Sequence, residues 1–326
     1  MRKGIKLTHS RETPFVIGVD GGGTSTEAWL AIYEGPVLGI GKADASNAKA
    51  VGLLKARNSL SLAIARAFEC AKIDRTPVKL ICLGVAGFDR PEDRSLLETW
   101  NASEHWAEKL LLVNDGDLVV AAGTPEGWGI GVIAGTGSIA VGNTKDGRKA
   151  RSGGWGHLIG DEGSAYYVAM AALRLVARRA DGRETIPEGG DILGRYLYQT
   201  LGVDSPAQIV LALYAPDFDR VAIADLAKSV REASLSDREV DSKIFRPAGI
   251  ALAEMVRSVA RSLDFPKADL PLALAGGFLL NTTEVERGLV ESLALEGYQL
   301  NITRVPEPAR GAVLLAQRAL RQDLRS

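Results

Sequence analysis

Two stretches of this chain have residue types and spacings suited to holding phosphate. In the first, an apolar run from Phe15 to Val19 delivers Asp20 into Gly21-Gly22-Gly23-Thr24, and a second extended run leaves at once. Consecutive glycines carry no side chains, so a phosphate chain can approach the backbone and accept bonds from several N–H groups. Thr24 and Thr26 add hydroxyl donors, and Asp20 stands where a hydrated Mg²⁺ needs a carboxylate. The unit recurs in mid-chain: Gly129–Ala134 reads as a strand, Gly135-Thr136-Gly137-Ser138 as a turn, and Ile139–Gly142 as the returning strand. A plain turn needs glycine but no paired hydroxyls, so the repeated threonine favours phosphate contact. Gly22, Gly23 and Thr24 in one hairpin, with Thr136 and Gly137 in the other, are therefore the candidate nucleotide contacts. Their repetition points to a nucleotide held between two related halves.

Asp115 is the candidate general base. It follows the apolar strand Leu110–Val113 within Asn114-Asp115-Gly116-Asp117, and ligands meet open α/β sheets at strand ends of this kind. A carboxylate there can take the proton from a substrate hydroxyl as that oxygen attacks a γ-phosphate in line. The competing reading is a helix N-cap, served by Asp115 or Asp117 ahead of Leu118. For Asp20 the competing reading is a simple strand end.

The elements that must position these groups come in a repeating order. Phe15–Asp20, Glu27–Glu34 and Val37–Lys42 read as strands, with a tight turn at Glu34-Gly35-Pro36. An amphipathic helix follows from Ala48 to Ile73, with Leu53, Leu54, Leu60, Ile64 and Ala67 as its apolar positions. Val78–Val85 has the near-continuous apolar character of a central parallel strand. Pro91–Lys109 reads as helical, and a further helix opens at Leu118. The second half repeats the opening with strands at 128–134, 138–143 and about 148–151, and then a mostly helical block from Ser164 to Leu263. Strand Leu272–Ala275, helix Thr282–Leu295, strand Leu300–Val305 and helix Ala309–Leu324 close it. Three strands and then helix–strand alternation, twice, describe a duplicated α/β unit with helix-covered sheets. No Pro/Gly-rich linker separates the halves, so the boundary near Asp115–Pro125 reads as a hinge.

Composition narrows the partners. The 326 residues suffice for two domains, and 46% hydrophobic with 24% charged residues is ordinary for a globular protein. A net charge of −1 gives no electrostatic case for nucleic acid or an acidic membrane surface. Cys70 and Cys82 read as two buried thiols rather than a disulfide, and His9, His105 and His157 are scattered without metal-ligand spacing. No apolar run approaches the roughly 18 residues of a membrane span. Residues 1–14 carry no signal-peptide core. The expectation is a cytoplasmic protein with a frayed start.

In order along the chain, Asp20-Gly-Gly-Gly-Thr24, Asn114-Asp115, Ala134-Gly-Thr-Gly-Ser138, the block from Gly153 to Ser164 and Ala275-Gly-Gly277 resemble the N-acetylglucosamine kinases. These belong with the benzoyl-CoA reductase activator-type ATPases in the sugar kinase and actin-like superfamily. The twelve-residue block is the most specific part, and the likeness runs over about residues 15–320. It implies a duplicated ribonuclease-H-like (actin-like ATPase/hexokinase) fold in two domains with a nucleotide cleft between them. The first would be residues 1–116, joined by the closing helix 309–326, and the second 117–308. It also implies ATP with Mg²⁺, an aminosugar substrate, a 6-phosphate product and a homodimer. Asp115 then matches the catalytic aspartate and a substrate contact. Asn47, Gly154, Trp155, Gly156 and Asp161 match sugar contacts, while Ala224 and Gly276 match nucleotide contacts.

Local alternatives accompany these matches. Two glycines beside an indole expose backbone groups and a flat apolar surface, which suits a pyranose, although Trp155 could be a core aromatic. Asp161 could cap the helix that follows, and Asn47 could stabilise its own turn. Gly276 and Gly277 could simply form a strand-to-helix turn, and His157 reads as a structural hydrogen-bonding residue. One position departs from the family: Ile139 stands where those kinases place a sugar-contacting asparagine. The alternatives to an N-acetylglucosamine kinase are a glucosamine or N-acetylmuramic acid kinase, or a non-catalytic ATP-dependent sugar sensor. A reductase activator would need cysteines arranged to hold an iron–sulfur cluster, and Cys70 and Cys82 lack that arrangement.

Overall fold

The computed structural model describes residues 14–86, 91–216 and 218–324. The expected frayed start therefore lies almost wholly outside the described residues. The chain divides into two compact units, one made of the residues up to Ala122 together with those from Glu307 onward, the other of Gly123–Pro306.

The first unit holds strands β1 (Phe15–Gly21), β2 (Ser25–Ile32), β3 (Val37–Asp44), β4 (Val78–Val85) and β5 (Ala107–Val113). They form one sheet in the order β3-β2-β1-β4-β5. β2 runs antiparallel to β1 and β3, whereas β1, β4 and β5 are parallel. Parallel neighbours need crossovers, and these are helices: α1 (Ala48–Val51) and α2 (Leu53–Ala71) before β4, and α3 (Pro91–Glu104) before β5. α4 (Asp115–Gly123) follows β5, and the C-terminal helix Ala309–Asp323 returns to the same unit. One sheet face buries Ile17, Val19 and Ile81 against α2 and α3 through Leu60, Ile64, Phe68 and Leu97. The other buries Val16, Leu80 and Cys82 against Leu118 of α4 and Ala312, Val313 and Ala316 of the C-terminal helix. Burial on both faces explains why β4 reads as a near-continuous apolar run, broken only by the exposed Lys79.

The amphipathic segment 48–73 differs from expectation. It is broken at Gly52, whose φ of +82° interrupts the helical backbone. Leu53 and Leu54 are exposed, so the buried stripe begins only at Ala56. Cys70 lies off that stripe and is exposed. Only Cys82 is a buried thiol, and burial pushes its pKa up.

The second unit repeats the plan. Its strands are β6 (Gly129–Ala134), β7 (Ser138–Asn143), β8 (Lys149–Gly153), β9 (Leu270–Ala275) and β10 (Leu300–Arg304), in the order β10-β9-β6-β7-β8. The three-strand meander is antiparallel and β6, β9 and β10 are parallel, as in the first unit. This is the duplicated ribonuclease-H-like α/β fold. Between β8 and β9 lie α5 (Ala165–Ala180), α6 (Ile192–Leu201), α7 (Pro206–Leu213), α8 (Arg220–Asp225), α9 (Ala227–Ser234) and α10 (Arg246–Ser262). α11 (Gly277–Leu280) and α12 (Thr283–Leu295) separate β9 from β10. A single large core joins the sheet to these helices through residues such as Ile130, Val132, Val168, Phe245, Leu252 and Leu289.

Candidate functional site

In the first unit the phosphate-type hairpin is the β1–β2 turn. Gly21 pairs with Thr26, and the Gly22 N–H donates to the Ser25 carbonyl at 2.9 Å, which closes a tight loop with Gly23, Thr24 and Ser25 exposed at its tip. The two threonines part company here. Thr26 is fully buried and its hydroxyl donates to the Asp44 carbonyl at 2.7 Å, so it braces β2 against β3 instead of serving a ligand. Thr24 stays at the exposed tip.

Asp20 lies one residue before the end of β1, level with Gly84 of β4, which is level with Val113 at the end of β5. Asn114 and Asp115 continue from that row. The same sheet edge thus carries both candidate carboxylates, and they interact. Asp20 is pushed up to about 7, first by burial and then by the charges of Asp115 and Glu27. Like charges gathered at one point are relieved by a cation. Among the described residues no group of three or more His, Cys, Asp or Glu could hold a metal ion. Mg²⁺ suits such a sparse site, because it keeps several waters and takes phosphate oxygens beside one or two carboxylates.

Asp115 is not the cap of its helix. α4 begins at Asp115, and the capping position is Asn114, whose Oδ1 accepts from the Gly116 N–H at 3.0 Å. Asp117 reaches back to accept from the Asn114 N–H at 3.4 Å, completing a reciprocal cap. The Asp115 carboxylate accepts from the Gly116 N–H at 2.8 Å, at the positive end of the helix. Asn47 does serve its own turn: its side chain caps α1 by accepting from the Lys49 N–H at 3.1 Å.

In the second unit the β6–β7 turn matches the first hairpin. Ala134 pairs with Ser138, and the Gly135 N–H donates to the Gly137 carbonyl at 2.9 Å. The start of α5 is strapped to this turn. Ala165 N–H donates to the Gly135 carbonyl at 2.9 Å, and the Ser138 hydroxyl donates to the Glu162 carbonyl at 2.6 Å. Ser164 caps α5 by accepting from the Tyr167 N–H. Asp161 is therefore not the cap. It is 3% exposed and sits at φ +61°, with Oδ1 accepting from the Ser138 N–H at 3.2 Å and Oδ2 paired to Arg220 at 2.7 Å.

The loop after β8 displays the glycine–indole run. Trp155 is 66% exposed, so it is no core aromatic, and the Arg151 guanidinium lies 5.8 Å from its ring centroid. Gly154, at φ +71°, packs directly on Ile139: a β-carbon there would stand 2.8 Å from Ile139 Cδ1. His157 packs edge-on against Tyr166 at 5.2 Å. Gly276 has a purely internal cause. Its φ is +95°, and an added side chain would strike the Ala134 backbone at the base of the hairpin. Gly277 differs, since a β-carbon there would meet nothing in the chain within 4 Å. Ala224 is 5% exposed and its methyl belongs to the core. One turn earlier in α8, Arg220 is the residue that reaches the hairpin, and sequence reasoning missed it. No local signal marks it, because its partner lies 59 residues away.

Two sheets of one topology, each opening on a glycine–threonine hairpin, define a duplicated α/β protein. Residues 17–316 match the BadF/BadG/BcrA/BcrD ATPase family, and the chain belongs to it. It is 33% identical to an N-acetylmuramic acid/N-acetylglucosamine kinase of Clostridium acetobutylicum, over 93% of this chain and 98% of that one. It is 30% identical to the N-acetyl-D-glucosamine kinase of Dictyostelium discoideum, over 92% and 97%. A solved structure from Chromobacterium violaceum, provisionally designated an N-acetylglucosamine kinase, superposes with a TM-score of 0.73 at 28% identity, covering 93% of this chain and 99% of that one. The protein is an ATP-using sugar kinase whose substrate is a small-molecule sugar. Among the described residues no helix is long and apolar enough to cross a membrane.

Proposed function

We propose that the protein transfers the γ-phosphoryl group of ATP to the 6-hydroxyl of N-acetylglucosamine or a close aminosugar. N-acetylmuramic acid belongs in that class, since one relative is named for both sugars. The observation that carries the mechanism is the shared sheet edge of Asp20 and Asp115, with the charge of one felt by the other. Asp115 accepts the hydroxyl proton as the sugar oxygen forms its bond to the γ-phosphorus and the bond to ADP breaks. Asp20 holds Mg²⁺ through water, and the ion offsets charge on the phosphates. Gly22, Gly23 and Thr24 serve phosphate in the first unit, Thr136 and Gly137 in the second. The nucleotide also meets Gly276 and the helix of Ala224. Gly277, with no chain atom over it, suits the approach of a flat ring.

Sugar contacts in this reading are Asn47, Asp115, Gly154, Trp155, Gly156 and Asp161. The exposure of Trp155 together with Leu158 and Ile159 on one loop supports this, because clustered exposed apolar side chains mark a surface that a ligand or partner covers. The family likeness also implies a homodimer, which light scattering of the purified protein tests directly. The test of the function is ADP release with Mg·ATP against N-acetylglucosamine, N-acetylmuramic acid, glucosamine and glucose. Turnover is expected with at least one N-acetylated sugar. Turnover confined to glucose would defeat the aminosugar reading.

A further inference from the structure

We propose that Arg151 reads an acidic substituent on the sugar, so that the protein accepts N-acetylmuramic acid, whose lactyl ether carries a carboxylate, as well as N-acetylglucosamine. This rests on the reading of the block from Gly153 to Ser164 as the sugar loop. Arg151 lies just ahead of that block, on the edge strand β8. Its guanidinium is 5.8 Å from the ring centroid of Trp155, the exposed indole of the loop. On the sheet, Arg151 stands opposite Val141 and Gly153 opposite Ile139. Residues two apart share a face of a strand, so Arg151 and Ile139 are diagonal neighbours on one face, within reach of a long side chain.

The charge of Arg151 is uncommitted. Its side chain is exposed, and among the described residues no carboxylate pairs with it. Arg148, three residues earlier, pairs with both Asp146 and Asp264. What holds Arg151 is the indole. A cation within about 6 Å of an aromatic centroid is attracted to the ring face, and here no side-chain N–H is spent on an acceptor in the chain. The planar fork that pairs two N–H groups with a carboxylate therefore stays open to a ligand.

A lactyl ether joins a methyl and a carboxylate on one short arm. Ile139 and Arg151 present an apolar side chain and a cation side by side, which matches both ends of that arm. N-acetylglucosamine has a bare hydroxyl at the same carbon and offers no charge to pair. Arg151 thus separates the two sugars by charge, while Asn47, Gly154 and Asp161 serve the ring that both contain.

The test measures kcat/KM for N-acetylmuramic acid and for N-acetylglucosamine with Mg·ATP, and the affinity for each sugar by calorimetry. Wild type is expected to phosphorylate both. Arg151→Gln removes the charge, and Arg151→Lys keeps it without the fork. Arg151→Gln should lower kcat/KM and affinity for N-acetylmuramic acid about tenfold or more, the scale of a charged hydrogen bond. The values for N-acetylglucosamine should stay within twofold, and Arg151→Lys should recover part of the loss. Added salt should weaken wild-type binding of N-acetylmuramic acid more than that of N-acetylglucosamine, because exposed charges are screened. The inference is overturned if wild type phosphorylates N-acetylglucosamine but not N-acetylmuramic acid. It is equally overturned if Arg151→Gln, with an unchanged melting temperature, treats both sugars as wild type does. Equal loss for the two sugars would also overturn it, since Arg151 would then only support Trp155. If wild type phosphorylates neither sugar, the aminosugar reading itself fails and this inference falls with it.

Discussion

Asp20 and Asp115 stand at one edge of the first sheet, the first at the end of β1 and the second just beyond β5. The proximity is felt as charge: after burial, the Asp115 carboxylate is the main reason Asp20 is pushed up to about 7, with Glu27 adding to it. The unfolded chain would release that proton near 3.8. Between these values the folded state holds more protons than the unfolded one, so Asp20 makes stability fall as pH rises through the window and level off above about 7. Asp20→Asn is therefore expected to raise the melting temperature at pH 8 in the absence of Mg²⁺, by at least about 2 °C, with little effect at pH 4. The same protonation competes with a cation. The Mg²⁺ concentration for half-maximal activity should rise as pH drops below about 7, measured by ADP release over a metal titration at each pH. An Mg²⁺ requirement flat from pH 6 to 8 would detach the metal from Asp20.

The next expectation concerns the base. Because Asn114 and Asp117 perform the capping, Asp115→Asn leaves the start of α4 supported. Turnover should fall by roughly 10²-fold or more, the usual contribution of a positioned acid or base, while AMPPNP affinity and melting temperature hold. Turnover within a few-fold of wild type would remove Asp115 from the role.

The two sheets were legible because their signals are local. Apolar runs bounded by glycine turns place β4 and β7 with their observed ends, and the repeated glycine–threonine hairpin reveals the duplication. What escaped depends on distant pairing. Thr26 looks like Thr24 in sequence, yet its hydroxyl is committed to Asp44 across two strands. Leu53 and Leu54 fit a helical stripe, but Gly52 turns the backbone before them and leaves both in water. Cys70 falls beside the buried stripe and not within it. Asp161 shows the same limit most clearly, because its partners Ser138 and Arg220 are 23 and 59 residues away.

A stability expectation attaches to Arg179 at the end of α5, whose side chain is fully buried. It pairs with Asp191 at 2.7 Å, Asp237 at 3.1 Å and Glu239 at 2.9 Å, tying α5 to the start of α6 and to the segment after α9. Asp237 is itself only 2% exposed, so Arg179→Met strands a buried carboxylate. Such a loss costs about 3–5 kcal/mol, to be read from urea melts. Arg179→Met with Asp237→Leu should regain a large part of it, because the second change removes the unpaired charge. Equal destabilisation in the single and double variants would mean that packing, not charge, is what Arg179 supplies.

Substrate selection turns on Ile139. Its side chain lies against Gly154, where a β-carbon would stand 2.8 Å from Ile139 Cδ1, and the family resemblance leads us to expect an asparagine at this position. An apolar group cannot pair an amide, and a buried polar group left without its partner costs about 1–3 kcal/mol. With isoleucine present, the loop should read the sugar's C2 substituent weakly. Ile139→Asn is then expected to shift kcat/KM toward N-acetylglucosamine over glucosamine and glucose, by about tenfold or more. Gly154→Ala serves as the companion variant: a β-carbon would press on Ile139 and strain a residue at φ +71°, raising KM for every sugar without changing their ratio. The Ile139→Asn shift should survive in a Gly154→Ala background only if it comes from hydrogen bonding and not from relieved crowding. An unchanged sugar ratio in Ile139→Asn would move C2 recognition to another part of the site.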